Sequence, residues 1–213
     1  MTIDDFDIVV STIPESGRID KLFRYFYDAG ICRWMLDYEP KFTGTPPIKI
    51  YNPSGYGCGQ HFCEIQAKFS RRNIIVFEDD AIIYPDFCEK MNAHLAELPD
   101  DWKIFVAGYV TRRELGEETE GANRVTDLIR RNANYLTGAQ CVVLRAGEWR
   151  DILTNDMRTH RYYAHMKNHG FDDVLAKWSR ANYIPYYFAA KSFVGQGNGI
   201  SLITGKRRKI LGL

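Results

Sequence analysis

The apolar positions follow two alternating rhythms. Short runs of β-forming residues are separated by stretches in which apolar residues recur every three or four positions. Residues 6–10 (FDIVV) predict a first strand, and Ser11-Thr12-Ile13-Pro14 turns the chain. Ile19, Leu22, Phe23 and Phe26 then fall at helical spacing, with Gly30 as the natural stop. Residues 34–36 predict a short strand ending at Asp37-Tyr38-Glu39, and the Pro-, Gly- and Thr-rich stretch 40–47 predicts a loop. A third strand is expected over 48–51, a Gly-rich loop over 52–59 and a helix over 60–69.

Ile74-Ile75-Val76-Phe77 is an unbroken apolar run, the pattern of a central strand covered on both faces. Asp86-x-x-Glu89 has the spacing of a capping box and predicts a helix start. Strands are expected over 103–107 and 140–144, and helices over 147–153, 161–168 and 174–181. The polar region 111–134 predicts a long surface excursion. From Tyr183 onward the pattern is irregular and Gly-rich. There Gly195, Gly197 and Gly199 predict either a loop that closes over a ligand or a flexible tail. Alternating strands and helices imply a Rossmann-like α/β domain over 1–205, with a mostly parallel central sheet flanked by helices.

Composition changes this picture little. The 213 residues are 45% hydrophobic, enough for one domain with a sizeable core. The 28 basic and 27 acidic side chains give a net charge of +1. No global basic field therefore points to nucleic acid. The one dense basic run, Lys206-Arg207-Arg208-Lys209, reads as a solvated tail or the start of a linker over 206–213, or as a phosphate grip. The five cysteines are odd in number and form no CxxC, which suits a reducing compartment. Cys58, His61 and Cys63 cluster, but at a spacing that fits no common zinc module. The acidic N-terminus lacks a signal-peptide pattern, and no apolar stretch approaches the ~20 residues needed to span a bilayer. The expectation is a cytoplasmic chain without a membrane span.

The informative feature is Glu78-Asp79-Asp80, directly after the apolar run. Adjacent carboxylates repel one another and lose hydration, so something must compensate them. Hard divalent cations do so with oxygen ligands, often one or two carboxylates plus substrate phosphates. Ligands of open α/β sheets bind beyond the carboxyl ends of the strands, where this triplet is expected. If the chain stayed extended, Glu78 and Asp80 would share one side and Asp79 the other. The alternatives are a solvated acidic turn or helix capping, but Asp86 is already placed as the cap.

The run 75–80, with Phe87 shortly after, resembles the DXD strand of GT-A glycosyltransferases. It resembles above all the EDD form of the family containing lipopolysaccharide and collagen galactosyltransferases. Residues 137–144 resemble that family's strand after the acceptor loop. As a whole the chain also resembles the N-terminal domain of the large multidomain chlorovirus glycosyltransferases linked to capsid glycans, which implies further domains of a longer chain. The resemblance implies a UDP-sugar donor held through Mn²⁺ or Mg²⁺, and a glycan or glycoprotein acceptor. It makes Asp80 the metal ligand, with Glu78 beside it, and gives Glu78 and Asp79 ribose or metal-water contacts. Ser11, Thr12 and Arg18 would touch the nucleotide, Asp37 or Tyr38 the uracil, and Lys68 the base or phosphate. For Arg18 and Lys68 a solvated helix face is the competing reading. Many GT-A enzymes add a late His to the metal. No His follows His169 here, so Gln196, Ser201 or water would take that place.

An inverting transferase also needs a carboxylate to take the proton from the acceptor hydroxyl. Asp172 and Asp173 are the candidates, because they follow Gly170-Phe171 and open a helix in about the place where the related family carries an acid. Either is also a favoured helix cap. The late aromatics Tyr162, Tyr163, Trp178, Tyr183, Tyr186, Tyr187 and Phe188 pack in the core or stack on a sugar. A nucleotidyltransferase would be expected to carry a Gly-rich phosphate loop after its first strand, which residues 11–17 are not. No His/Asp cluster supports a two-metal phosphohydrolase. A non-catalytic sugar-binding module would keep stacking aromatics but would not need the triplet.

Overall fold

A computed structural model describes residues 1–12, 18–31, 49–51, 58–108, 128–131, 140–159, 171–189 and 191–197. For 49–51, 58–61, 63, 129–131, 171 and 173 it describes the backbone only. After a short 3-10 turn, Ile3–Asp5, strand β1 (Asp7–Ser11) begins the sheet. Helix α1 (Ile19–Asp28) buries Leu22 and Phe26. It stops where the sequence predicts. Gly30 adopts φ +69° and its N–H bonds the Tyr27 carbonyl at 3.1 Å, while the Ile31 N–H reaches back to Phe26 at 2.9 Å. That pair of bonds closes the helix end, and the left-handed turn between them favours glycine.

Strand β2 (Lys49–Tyr51), helix α2 (Cys58–Lys68) and strand β3 (Ile74–Glu78) follow. Next come β4 (Ala81–Ile83), α3 (Phe87–Glu97), β5 (Ile104–Val106) and β6 (Leu128–Arg131). The chain continues with β7 (Cys141–Leu144), α4 (Glu148–Met157), α5 (Phe171–Ala181), β8 (Tyr186–Ala189) and β9 (Val194–Gln196). Among the described residues, seven strands form one sheet in the order β2-β1-β3-β7-β5-β8-β6, and β4 pairs with β9 in a small second sheet. Five strands of the large sheet point the same way, while β6 and β7 oppose them. The fold is therefore α/β with a mostly parallel central sheet.

Alternation along the strands divides the core into two layers. Ile8, Val10, Ile75 and Phe77 face α1 and α3, whereas Val9, Ile74 and Val76 face α2, α4 and α5. Both faces of β3 are covered, which explains its unbroken apolar sequence. On the second face a buried arginine joins three segments. Arg150 of α4 donates to the Gln66 side chain at 2.6 Å, the Gln66 carbonyl at 3.3 Å and the Arg72 carbonyl at 2.5 Å. Burial lowers its pKa to about 9, so it remains a cation at neutral pH.

Several elements depart from the sequence reading. The stretch expected to be irregular after Tyr183 contains β8 and β9. The polar excursion 111–134 contains the edge strand β6. Ala81-Ile82-Ile83 is a strand of its own. Asp86 holds the N-cap position but makes no capping hydrogen bond, and its carboxylate pairs instead with Lys90 at 2.7 Å. No helix among the described residues is long and apolar enough to cross a membrane.

Candidate functional site

The site is built where β1 and β3 end side by side. The two strands run parallel, with Ser11 level with Glu78. On leaving β1 the chain passes through α1 to β2 on one side. It returns through α2 to β3 on the other, and the two helices pack on opposite faces. This is a topological switch point, and the crevice beyond the carboxyl ends there is the natural ligand site of an open α/β sheet. Phe77, the residue before the triplet, is wedged between Phe26 and Phe87, with ring centroids 5.1 and 5.5 Å away. These aromatic contacts fix the height at which the acids leave the sheet.

Strand β3 ends at Glu78, whose N–H donates to the Gln140 carbonyl at 3.1 Å. The chain then turns, and the Asp79 N–H bonds the Ser11 carbonyl at 3.1 Å. The turn corrects the extended-chain expectation. Asp79 and Asp80 do not diverge but meet a single guanidinium. Arg18 Nη1 lies 3.4 Å from Asp79 Oδ1 and 3.7 Å from Asp80 Oδ2. The other Asp79 oxygen accepts from the Thr12 hydroxyl at 2.9 Å. The Asp79 and Asp80 side chains are only 10% and 7% exposed, and Asp80 Oδ1 is buried.

A second segment closes over the turn from the far end of the chain. β9 pairs antiparallel with β4, placing Gln196 opposite Ala81, and the Gly197 N–H donates to the Asp80 carbonyl at 2.7 Å. A Cβ on Gly197 would stand 3.0 Å from that carbonyl, and one on Gly195 would stand 3.1 Å from the Tyr84 hydroxyl. At Gly197 the missing side chain allows a close approach of backbone to backbone. The expected mobile loop at Gly195 is thus a buried strand, and Gly197 is hydrogen-bonded at its end; Gly199 lies outside the described residues.

The residues fit a hard divalent cation of the open kind. Asp79 and Asp80 already converge on one positive group, and phosphate oxygens and water complete such a site when only one or two carboxylates are present. Among the described residues, no group of three His, Cys, Asp or Glu side chains forms an all-protein cage.

Ser11, Thr12, Arg18, Glu78, Asp79 and Asp80 therefore share one edge, with Gln196 on the adjoining strand. Lys68 does not join them. It is exposed at the end of α2, over the Phe69 ring at 5.8 Å, two residues before Ser70. The Ser70 carbonyl accepts from Gly147, just beyond the end of β7, and this is the edge where β3 begins. Asp172 is half-buried in the first turn of α5, on the face opposite α1. Asp37, Tyr38, Ser201, Gly170 and the basic run 206–209 lie outside the described residues, as do the side chains of Asp173, Cys58, His61 and Cys63. Trp178, Tyr186, Tyr187 and Phe188 are buried, which assigns them to the core, whereas Tyr183 is exposed. The sequence reading missed the hydrogen bond from Gly197 to Asp80; glycines two apart on either side of Gln196 were the signal. Compared with known proteins, the chain matches no family model and no characterised sequence at significant similarity.

Proposed function

We propose that the chain is a metal-dependent glycosyltransferase of the GT-A type, moving a hexose from a UDP-sugar to a glycan or glycoprotein acceptor with inversion. The observation that carries this reading is the position of Glu78-Asp79-Asp80 at the switch point between β1 and β3, with two of the acids facing one cation. Asp80 and Asp79, which already share one cation, would hold Mn²⁺ or Mg²⁺, with Glu78 beside them. The metal supplies Lewis-acid stabilisation of the charge that grows on the leaving diphosphate. Thr12 fixes Asp79, and Arg18 at the start of α1 offers a planar cation suited to phosphate. The β9 segment shields one side of the acid turn from water, which strengthens every charge interaction there. Asp172 or Asp173 takes the proton from the acceptor hydroxyl, the task that inversion assigns to a carboxylate.

Titration calorimetry with UDP, with and without Mn²⁺, on the wild type and Asp80→Ala tests the reading. The expected result is UDP binding that requires Mn²⁺ and disappears in the variant. Absence of UDP binding by the wild type under both conditions would overturn the donor assignment.

A further inference from the structure

Arg18 stands where electrostatics alone would not put it. It occupies the N-cap position of α1, the positive end of the helix dipole, where a cation is disfavoured. Its side chain caps nothing and runs instead to the acid turn. The grip there is loose. The separations of 3.4 and 3.7 Å exceed the ~2.8 Å of a tight charged hydrogen bond. The side chain is also 23% exposed, so it can leave without passing through the core.

Its partners, by contrast, are anchored independently of it. Asp79 is held by the Thr12 hydroxyl at 2.9 Å and by its own N–H to Ser11. The Asp80 main chain is held by Gly197 at 2.7 Å. Removing the guanidinium would leave the Asp79 carboxylate and the Asp80 main chain in place, with the acid charge exposed to whatever cation arrives.

We propose that Arg18 is a built-in counter-cation: in the ligand-free protein it neutralises Asp79 and Asp80 in the place of a divalent metal, and it passes to the donor's diphosphate when the metal takes the acids. This rests on the metal–nucleotide reading above. Only one side chain moves. It leaves two carboxylates for phosphate oxygens that its fork can grip in pairs, beside a helix N-terminus that favours anions. The exchange couples the two ligands, because each makes the other's site available.

The test compares wild type, Arg18→Gln and Arg18→Lys. Mn²⁺ alone is followed by electron paramagnetic resonance, and UDP in saturating Mn²⁺ by calorimetry. Loss of the competing positive charge should tighten Mn²⁺ binding to ligand-free Arg18→Gln by about tenfold. The same change should weaken UDP binding by about tenfold, through loss of a charged phosphate contact. Arg18→Lys, which keeps the charge but not the fork, should hold Mn²⁺ near the wild-type affinity and still weaken UDP. It carries the test if Arg18→Gln does not fold. Opposite signs on the two ligands are the signature, since mere damage to α1 would weaken both. Mn²⁺ affinity unchanged or reduced in Arg18→Gln overturns the proposal, as does unchanged UDP affinity in Arg18→Lys. If wild type still binds both ligands and loses them in Asp80→Ala, the site reading survives that result. A wild type that binds neither removes both.

Discussion

Replacing Thr12 by valine should loosen the site measurably without disturbing the sheet. Thr12 is 3% exposed, and valine has nearly the same shape but lacks the hydroxyl. The change removes the hydrogen bond from the hydroxyl to Asp79 Oδ2 at 2.9 Å. A hydrogen bond to a charged group contributes about 1.5–3 kcal/mol. Asp79 keeps Arg18 as a partner and is 10% exposed, so water offsets part of the loss. The lower end, about 1.5–2 kcal/mol, is therefore the expectation. For a chain of this length each kcal/mol moves Tm by roughly 2–4 °C, which gives a fall of about 3–8 °C. The assay is calorimetric melting of wild type, Thr12→Val, Asp79→Ala and the double variant. The two single changes should be strongly non-additive, with a coupling of about 1 kcal/mol or more, because each removes the same bond. A Tm shift for Thr12→Val below about 1 °C, together with additive costs, would refute the claim that Thr12 anchors the acid turn.

Two further substitutions probe the surroundings. Gly197→Ala should cost about 1–3 kcal/mol in a melting experiment, because the new Cβ would lie 3.0 Å from the Asp80 carbonyl and force β9 off the turn. It should also weaken Mn²⁺-dependent UDP binding, whereas a substitution at exposed Glu97 should change neither. His94 stacks against both Phe105 and Phe193, and its Nδ1 bonds the Lys90 carbonyl at 2.7 Å. Burial, first of all, lowers its pKa from the ordinary 6.5, with the neighbouring Lys90 charge acting in the same direction. The unfolded chain therefore binds the proton more readily than the folded one. The contribution of neutral His94 is fully present above about pH 6.5 and is lost as pH falls from there toward its lowered folded value. Denaturant titrations between pH 7.5 and about 5 should show this loss in wild type and a flatter profile in His94→Phe.

Patterns that encode burial were legible in the sequence, and patterns that encode pairing were not. The unbroken run 74–77 announced a strand covered on both sides, and Gly30 announced the end of α1, because each signal is local. β6 (Leu128–Arg131) was hidden because an edge strand tolerates two arginines at its end. β4 and β9 are three residues each and become strands only by meeting one another. At the site, the carboxylates could be read from their composition. The sharing of Arg18, the Thr12 anchor and the turn that brings Asp79 and Asp80 together depend on contacts more than sixty residues apart, which no local pattern carries. The helix cap assigned to Asp86 failed for a local reason. Lys90 one turn on offered that carboxylate an ion pair in place of the backbone N–H groups.

The bond from Gly197 to Asp80 joins segments more than a hundred residues apart. Non-local pairings of this kind must meet their loop-closure entropy before any contact rewards it. During synthesis the acid turn emerges with β3, after β1 and β2 and long before the strand that covers it exists. The β1–β3 pair can therefore form well before the crevice is finished, whereas β8 of the same sheet precedes β9 by only a few residues. A truncation that removes the last described strand would leave the chain able to hold its central sheet while the acid turn stands open to water. The acid turn and the segment that covers it are thus made at separate times in the life of this chain, the second complete only with Val194–Gln196 and Gly197.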